Sequence, residues 1–335
     1  MFVVLSCTVA MWVACSDAAP TFVVESPFGS IKGLEVIANN SKPYLAFRGI
    51  PYAKPPEGEL RFAKPVQHPK LDGIFDASKF GNACIQAAYT LAPEETMSED
   101  CLFLNVYVKS IPTQSSPQNL KKVMVWIHGG GFILGSSFAY DAGIFVTNND
   151  VIVVTINYRL GVLGFLSTED EASPGHYGLW DQIMVLKWVK VNIVAFGGDP
   201  DDITLGGQSA GGASVSLLSL TPFTKGYFTK VYAQSGSATS LFAKYINAKL
   251  DAVKLSQQMN CFTGNDSNDS SDSHKIIECL KERSAVDISM GTNFQLSRTT
   301  FVPHVDGQLF PRSPAELLKD EAYLDSIGFF QRKYL

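Results

Sequence analysis

Two short runs with strand-like alternation, Thr21 to Glu25 and Ile31 to Val36, are punctuated by glycine and proline and predict a small antiparallel region near the start of the chain. Four later runs are apolar with little alternation: Val123 to Ile127, Val151 to Ile156, Ile203 to Leu205 and Lys230 to Ala233. Such runs fit strands buried on both faces. Helical spacing separates them, chiefly over Asp181 to Phe196 and Gly211 to Leu220. Strands alternating with helices predict an α/β fold built on a mostly parallel sheet. From Ala238 onward the pattern turns helical, with amphipathic stretches near Ala243 to Met259, His274 to Glu282 and Pro314 to Ala322. The polar run Gly264 to Ser273 predicts an exposed loop.

Composition narrows the class. The chain has 335 residues, 46% hydrophobic and 18% charged, enough to bury the core of one large domain. Its net charge of -5, with no basic block, favours neither nucleic acid nor an anionic membrane surface. Phe2 to Ala14 is apolar and uncharged, too short to span a bilayer, and is followed by small residues as far as Ala19. Residues 1–19 therefore read as a secretory signal peptide, leaving 20–335 as the mature domain. No later run is long and apolar enough for a membrane helix. Without Cys7 and Cys15, four cysteines remain, Cys84, Cys101, Cys261 and Cys279, which can pair in three ways. Asn39, Asn265 and Asn268 open Asn-x-Ser glycosylation patterns, which fit a secreted product.

Residues 206–212 read Gly-Gly-Gln-Ser-Ala-Gly-Gly, after the apolar Ile203 to Leu205 and before the helical Ala213 to Leu218. A serine on a glycine-built turn between strand and helix is a nucleophile elbow, with Ser209 as nucleophile. Alone, Gly-x-Ser-x-Gly arises by chance in roughly one chain in five to ten of this length. A second motif strengthens it. The run Lys122 to Ile127 ends in His128-Gly129-Gly130-Gly131-Phe132, a loop able to supply backbone N–H donors to an oxyanion. The candidate donors are the amides of Gly129, Gly130 and Ala210, and each such donor typically contributes about 3 kcal/mol to transition-state binding. Acyl transfer of this kind uses no cofactor and no metal.

These motifs, together with Phe47 to Ala53, Arg61 to Pro65, Ser98 to Tyr107, Asn157 to Gly161, Gly178 to Gln182, Phe196 to Pro200 and Gln234 to Ser237, make the chain resemble the type-B carboxylesterases, the cholinesterase-like branch of the α/β-hydrolases. The resemblance implies the α/β-hydrolase fold, with helical insertions forming a gorge over the site. Together with proximity in sequence it favours pairing Cys84 with Cys101 and Cys261 with Cys279. It also implies ion pairs between Arg48 and Glu99 and between Arg159 and Asp181. A small apolar carboxylic ester is the implied substrate. Cholinesterase-like members that bind a quaternary ammonium carry tryptophan ten residues before the cysteine of the Ser-Glu-Asp-Cys segment, where this chain has Leu91. They carry glutamate before the nucleophile, where this chain has the neutral Gln208. Both departures argue against acetylcholine, and Gln208-Ser209 resembles the elbow of insect juvenile hormone esterases.

A serine nucleophile in this fold needs an acidic residue and then a histidine downstream. Downstream of Ser209 stand only His274, in the polar loop, and His304, in a segment that in the family precedes the acidic member. His68, His128 and His176 lie upstream, and none of the five matches the catalytic position. The resemblance places the next strand, the acid and the base beyond Leu335, so that the chain is expected to lack a large C-terminal portion of the family domain, to be poorly soluble and to hydrolyse esters weakly. The alternative is a cholinesterase-like adhesion protein, which binds a protein partner on the same fold. The intact Ser209 and glycine loop favour the hydrolase.

Overall fold

The computed structural model describes residues 20–86, 97–112, 119–240, 247–262, 270–291, 301–328 and 333–334. Residues 1–19, Leu91, Asn265 and Asn268 lie outside them. In chain order the strands are β1 (Thr21–Ser26), β2 (Gly29–Ile37), β3 (Pro43–Pro51), β4 (Ile74–Asp76), β5 (Ala83–Cys84), β6 (Met97–Ser98), β7 (Phe103–Val108), β8 (Lys121–Ile127), β9 (Ile152–Ile156), β10 (Gly198–Gln208), β11 (Lys230–Gln234) and β12 (Lys333–Tyr334). A ten-stranded sheet takes the order β1-β2-β3-β7-β9-β8-β10-β11-β12, with β4 on β2. The run β9-β8-β10-β11-β12 is parallel, whereas β1-β2-β3-β7-β9 is antiparallel. The sheet is therefore mixed, with its parallel half where the α/β-hydrolase resemblance predicts it and an antiparallel half beside it. The N-terminal antiparallel region continues directly into the main sheet through β3 and β7. Nor does the next strand wait until after Leu335, because Lys333–Tyr334 already pair with β11.

The helices are α1 (Gly143–Asn149), α2 (Gly161–Phe165), α3 (Tyr177–Asn192), α4 (Ala210–Ser219), α5 (Ala248–Gln258), α6 (Ser270–Glu282), α7 (Ala285–Gly291), α8 (Pro314–Leu317) and α9 (Glu321–Ser326). Successive strand residues face opposite sides of the sheet, and the core divides accordingly. Val123, Val125 and Ile127 join Val154, Leu205 and residues of α3 and α4 in the large core. Tyr44, Ala46, Tyr107 and Val153 form a smaller core with Val146 of α1 on the other face. The end of the polar run is helical: Ser270 to Ser273 begin α6, and Ser273 is buried with its hydroxyl donating to Asp170 Oδ2 at 2.6 Å. Asn39 is exposed in the turn between β2 and β3.

Disulfides join Cys84 to Cys101 and Cys261 to Cys279. Each closes a loop of 17 or 18 residues, contributing roughly 3 kcal/mol in the chain-entropy account. Arg159 and Asp181 form the expected buried ion pair, 2.7 Å from Nη2 to Oδ1. The other expected pair does not form. Arg48 instead reaches Asp141 Oδ2 at 3.0 Å on the α1 side of the sheet, where Tyr44 Oη donates to the same carboxylate. Glu99 takes Arg61, whose Nε and Nη2 donate at 2.6 and 2.5 Å. Arg61 Nη1 also donates to the carbonyls of Leu280, Lys281 and Arg283, closing the C-terminal end of α6.

Candidate active site

Ser209 occupies the single residue between β10 and α4, with φ 56° and ψ −119°. A non-glycine residue in such a region costs on the order of 1–3 kcal/mol and persists only where its surroundings enforce it. Here the Ser209 N–H donates to the Gln234 carbonyl at 2.8 Å, and the Ser209 carbonyl accepts the Ala213 N–H at 2.9 Å. The reversal brings strand and helix into backbone contact. A Cβ on Gly207 would stand 2.5 Å from the Gly211 carbonyl, and one on Gly211 2.1 Å from Ile127 O. Both positions therefore exclude any larger residue. The Ser209 hydroxyl does not cap α4, and the residue stays partly exposed.

The glycine loop leaves β8 at Ile127 and passes beside this turn. A Cβ on Gly129 would lie 3.1 Å from Ser209 Cβ, so the Gly129 backbone sits directly against the serine. His128 is buried and stacked on Tyr158 with ring centroids 4.5 Å apart, and Tyr158 Oη donates to the His128 carbonyl at 3.1 Å. Burial pushes the His128 imidazole down to about 4, so it is neutral at pH 7. Its Nδ1 lies 2.8 Å from Gly129 O, which assigns the proton to Nδ1 because a carbonyl only accepts. In a trans peptide the Gly130 N–H points opposite to that carbonyl. His128 thus fixes the direction of one candidate donor. Ala210 is the first residue of α4, where amides lack intrahelical acceptors and the helix dipole is positive.

None of the other four histidines has Ser209 among its contacts. His68 lies 2.7 Å through Nδ1 from Pro69 O, and His274 is exposed on α6, not in a loop. His176 and His304 are buried and stacked on each other, 4.2 Å between centroids. Asp306 stands 4.0 Å from His176 Nε2 and accepts the amides of Gln308, Leu309 and Phe310. Burial lowers the basicity of both rings. The Gln234 carbonyl that tethers Ser209, and Gln86, which bonds the end of the glycine loop, were not singled out by the sequence. Gln234 stands within a family-like segment whose role no local pattern reveals, and backbone acceptors leave no side-chain signature. Among the described residues no group of three or more His, Cys, Asp or Glu side chains is placed to hold a metal ion.

The family model described as "Carboxylesterase family" matches residues 20–330. Acetylcholinesterase-1 of Trittame loki is 37% identical over 317 residues, which cover 89% of this chain and 56% of that protein. Juvenile hormone esterase of Tribolium castaneum is 41% identical over 294 residues, 86% of this chain and 48% of the relative. Bile salt-activated lipase of Bos taurus is 39% identical over 305 residues, 84% and 48%. The chain spans about half the length of the curated relatives it matches.

Proposed function

This chain belongs to the carboxylesterase family, and on that premise we propose that it carries the nucleophile and oxyanion hole of a serine carboxylic ester hydrolase. Ser209 Oγ attacks the ester carbonyl carbon, and the amides of Gly129, Gly130 and Ala210 receive the oxyanion. Collapse of the tetrahedral intermediate breaks the bond to the alcohol, which leaves with a proton, and water then releases the acid from the acyl-serine. The observation that carries this reading is the positive-φ Ser209 wedged between Gly207 and Gly211 with the Gly129 backbone against it.

We infer that the base for Ser209 is none of the five histidines, because His128 turns its Nδ1 to Gly129 O and none of the other four has Ser209 among its contacts. Alone, the chain therefore retains only the weak catalysis that oxyanion donors supply without a base. Neutral Gln208, whose Oε1 lies beside Gly129, favours an uncharged ester over a cationic one. Two disulfides and exposed Asn39 support a secreted or lumenal product, glycosylated at Asn39. The sequons at Asn265 and Asn268 are proposed as further acceptors on sequence alone.

Acylation by p-nitrophenyl butyrate tests the nucleophile, in imidazole buffer so that a small base replaces the missing one. We expect one butyryl group on the peptide carrying Ser209 and none on that peptide in Ser209→Ala. Acyl groups spread over lysines, equally in both proteins, would overturn the assignment.

A further inference from the structure

Gln86 lies two residues after Cys84, on the loop closed by the Cys84–Cys101 disulfide, and its side chain is buried. Its amide meets the backbone of Gly135 twice. Gln86 Nε2 donates to Gly135 O at 3.0 Å, and Gly135 N–H donates to Gln86 Oε1 at 2.8 Å. The same Nε2 donates to Cys84 O at 3.0 Å, which fixes the side chain to the cystine backbone. Both polar atoms of one amide are thus used to join two segments 49 residues apart in sequence.

The clamped residue touches the oxyanion loop. Gly135 has φ +119°, and a Cβ there would lie 2.4 Å from His128 Nδ1 and 2.5 Å from Gly129 O. Gly135 is therefore packed onto the hydrogen bond that sets the direction of the Gly130 N–H. On the far side, Cys101 follows Glu99 by two residues, and Glu99 is held by Arg61. The Cys84–Cys101 cystine thus has a hydrogen-bonded neighbour on each side, Gln86 and Glu99.

We propose that Gln86 is a positioning residue for the oxyanion hole, tying Gly129 and Gly130 through Gly135 to the backbone of the Cys84–Cys101 cystine. The assignment rests on the reading of those amides as oxyanion donors. Without the clamp, Gly135 is free to move off the His128–Gly129 bond, and the Gly130 N–H loses its fixed direction while Ser209 and α4 stay in place.

Hydrogen exchange read by mass spectrometry tests this without requiring any ester chemistry. Gln86→Ala should raise exchange of the segment 128–136 by about tenfold, as expected for loss of a pair of buried hydrogen bonds, with β8 and α4 unchanged. Gln86→Glu keeps the acceptor but opposes a carboxylate to the carbonyls of Cys84 and Gly135, and should give a comparable rise at pH 7. Wild-type exchange in rising denaturant covers the case in which a variant unfolds: segments 84–86 and 128–136 should open as one unit with a common denaturant dependence. Unchanged exchange at 128–136 in a folded variant, or separate opening of the two wild-type segments, would overturn the proposal. A positive result with no Ser209 acylation would leave the clamp standing and remove the hydrolase reading instead.

Discussion

At the scale of single residues, three buried neutral imidazoles set the response to pH. His128, His176 and His304 all hold protons less tightly in the fold than in an open chain, chiefly because burial penalises their charged forms. Below about pH 6.5 the unfolded chain takes up protons that the folded chain does not. Stability is therefore full above that value and falls as pH drops toward the folded values. For His128, the fall from 6.5 to about 4 corresponds to a loss of about 3 kcal/mol at the acid limit. Urea midpoints should drop between pH 7.5 and 5, and an unchanged midpoint would refute the neutral assignment. Glycine contacts give a second test: Gly211→Ala must displace Ile127 O, and should destabilise by about 1–3 kcal/mol while abolishing Ser209 acylation. A variant that melts and acylates as wild type would show that the elbow tolerates slack. Ser209 and the glycines were legible because the turn's geometry restricts residue type locally. The partners of Arg48 and Glu99 were not, since Asp141 is 93 residues from Arg48 and which face each arginine takes is decided by the sheet.

Among elements, β8 to β11 and the long helices α3 and α4 read correctly in position, because continuous apolar runs mark them, but full burial holds for β9 alone of the four strands: β8 alternates, and β11 is exposed from Tyr232 to Gln234. The antiparallel half was harder. β7 has Asn105 in its middle, a polar residue that the fold satisfies by accepting from Gly49 N–H and donating to the hydroxyls of Ser137 and Thr155. Such a residue interrupts the apolar run from which a buried strand is read. The turn of α6 that begins at Ser270 was hidden for a similar reason, as serine and aspartate favour loops and helix starts alike. The Cys261–Cys279 bridge ties the end of α5 to α6, and no contact of either cysteine reaches the elbow. Cys261→Ser with Cys279→Ser should lower stability by roughly 3 kcal/mol and raise exchange in α5 and α6, leaving Ser209 acylation unchanged. Loss of acylation in a folded double variant would couple those helices to the site.

For the whole molecule, the described residues cover the two faces of the sheet unequally. Gly207 meets α4, so the adjacent Gly206 faces the other way, against the Trp126 ring. On that side lies an apolar hollow of about 600 Å³ lined by residues including Met124, Trp126, Tyr140, Phe145, Val153 and Tyr232. Exposed apolar surface of this kind promotes association. Self-association that increases with concentration, and is reduced by Trp126→Gln, is the expected behaviour in sedimentation; a monomer at all concentrations would contradict it. Neither outcome bears on the proposal that Ser209 is a nucleophile whose base is none of the five histidines. A fluorophosphonate probe, with the adduct mapped by peptide mass, tests it most directly. Slow labelling at Ser209, accelerated by imidazole and abolished in Ser209→Ala, is the expected result. Rapid labelling without imidazole, or no adduct at Ser209 even with it, would contradict the account.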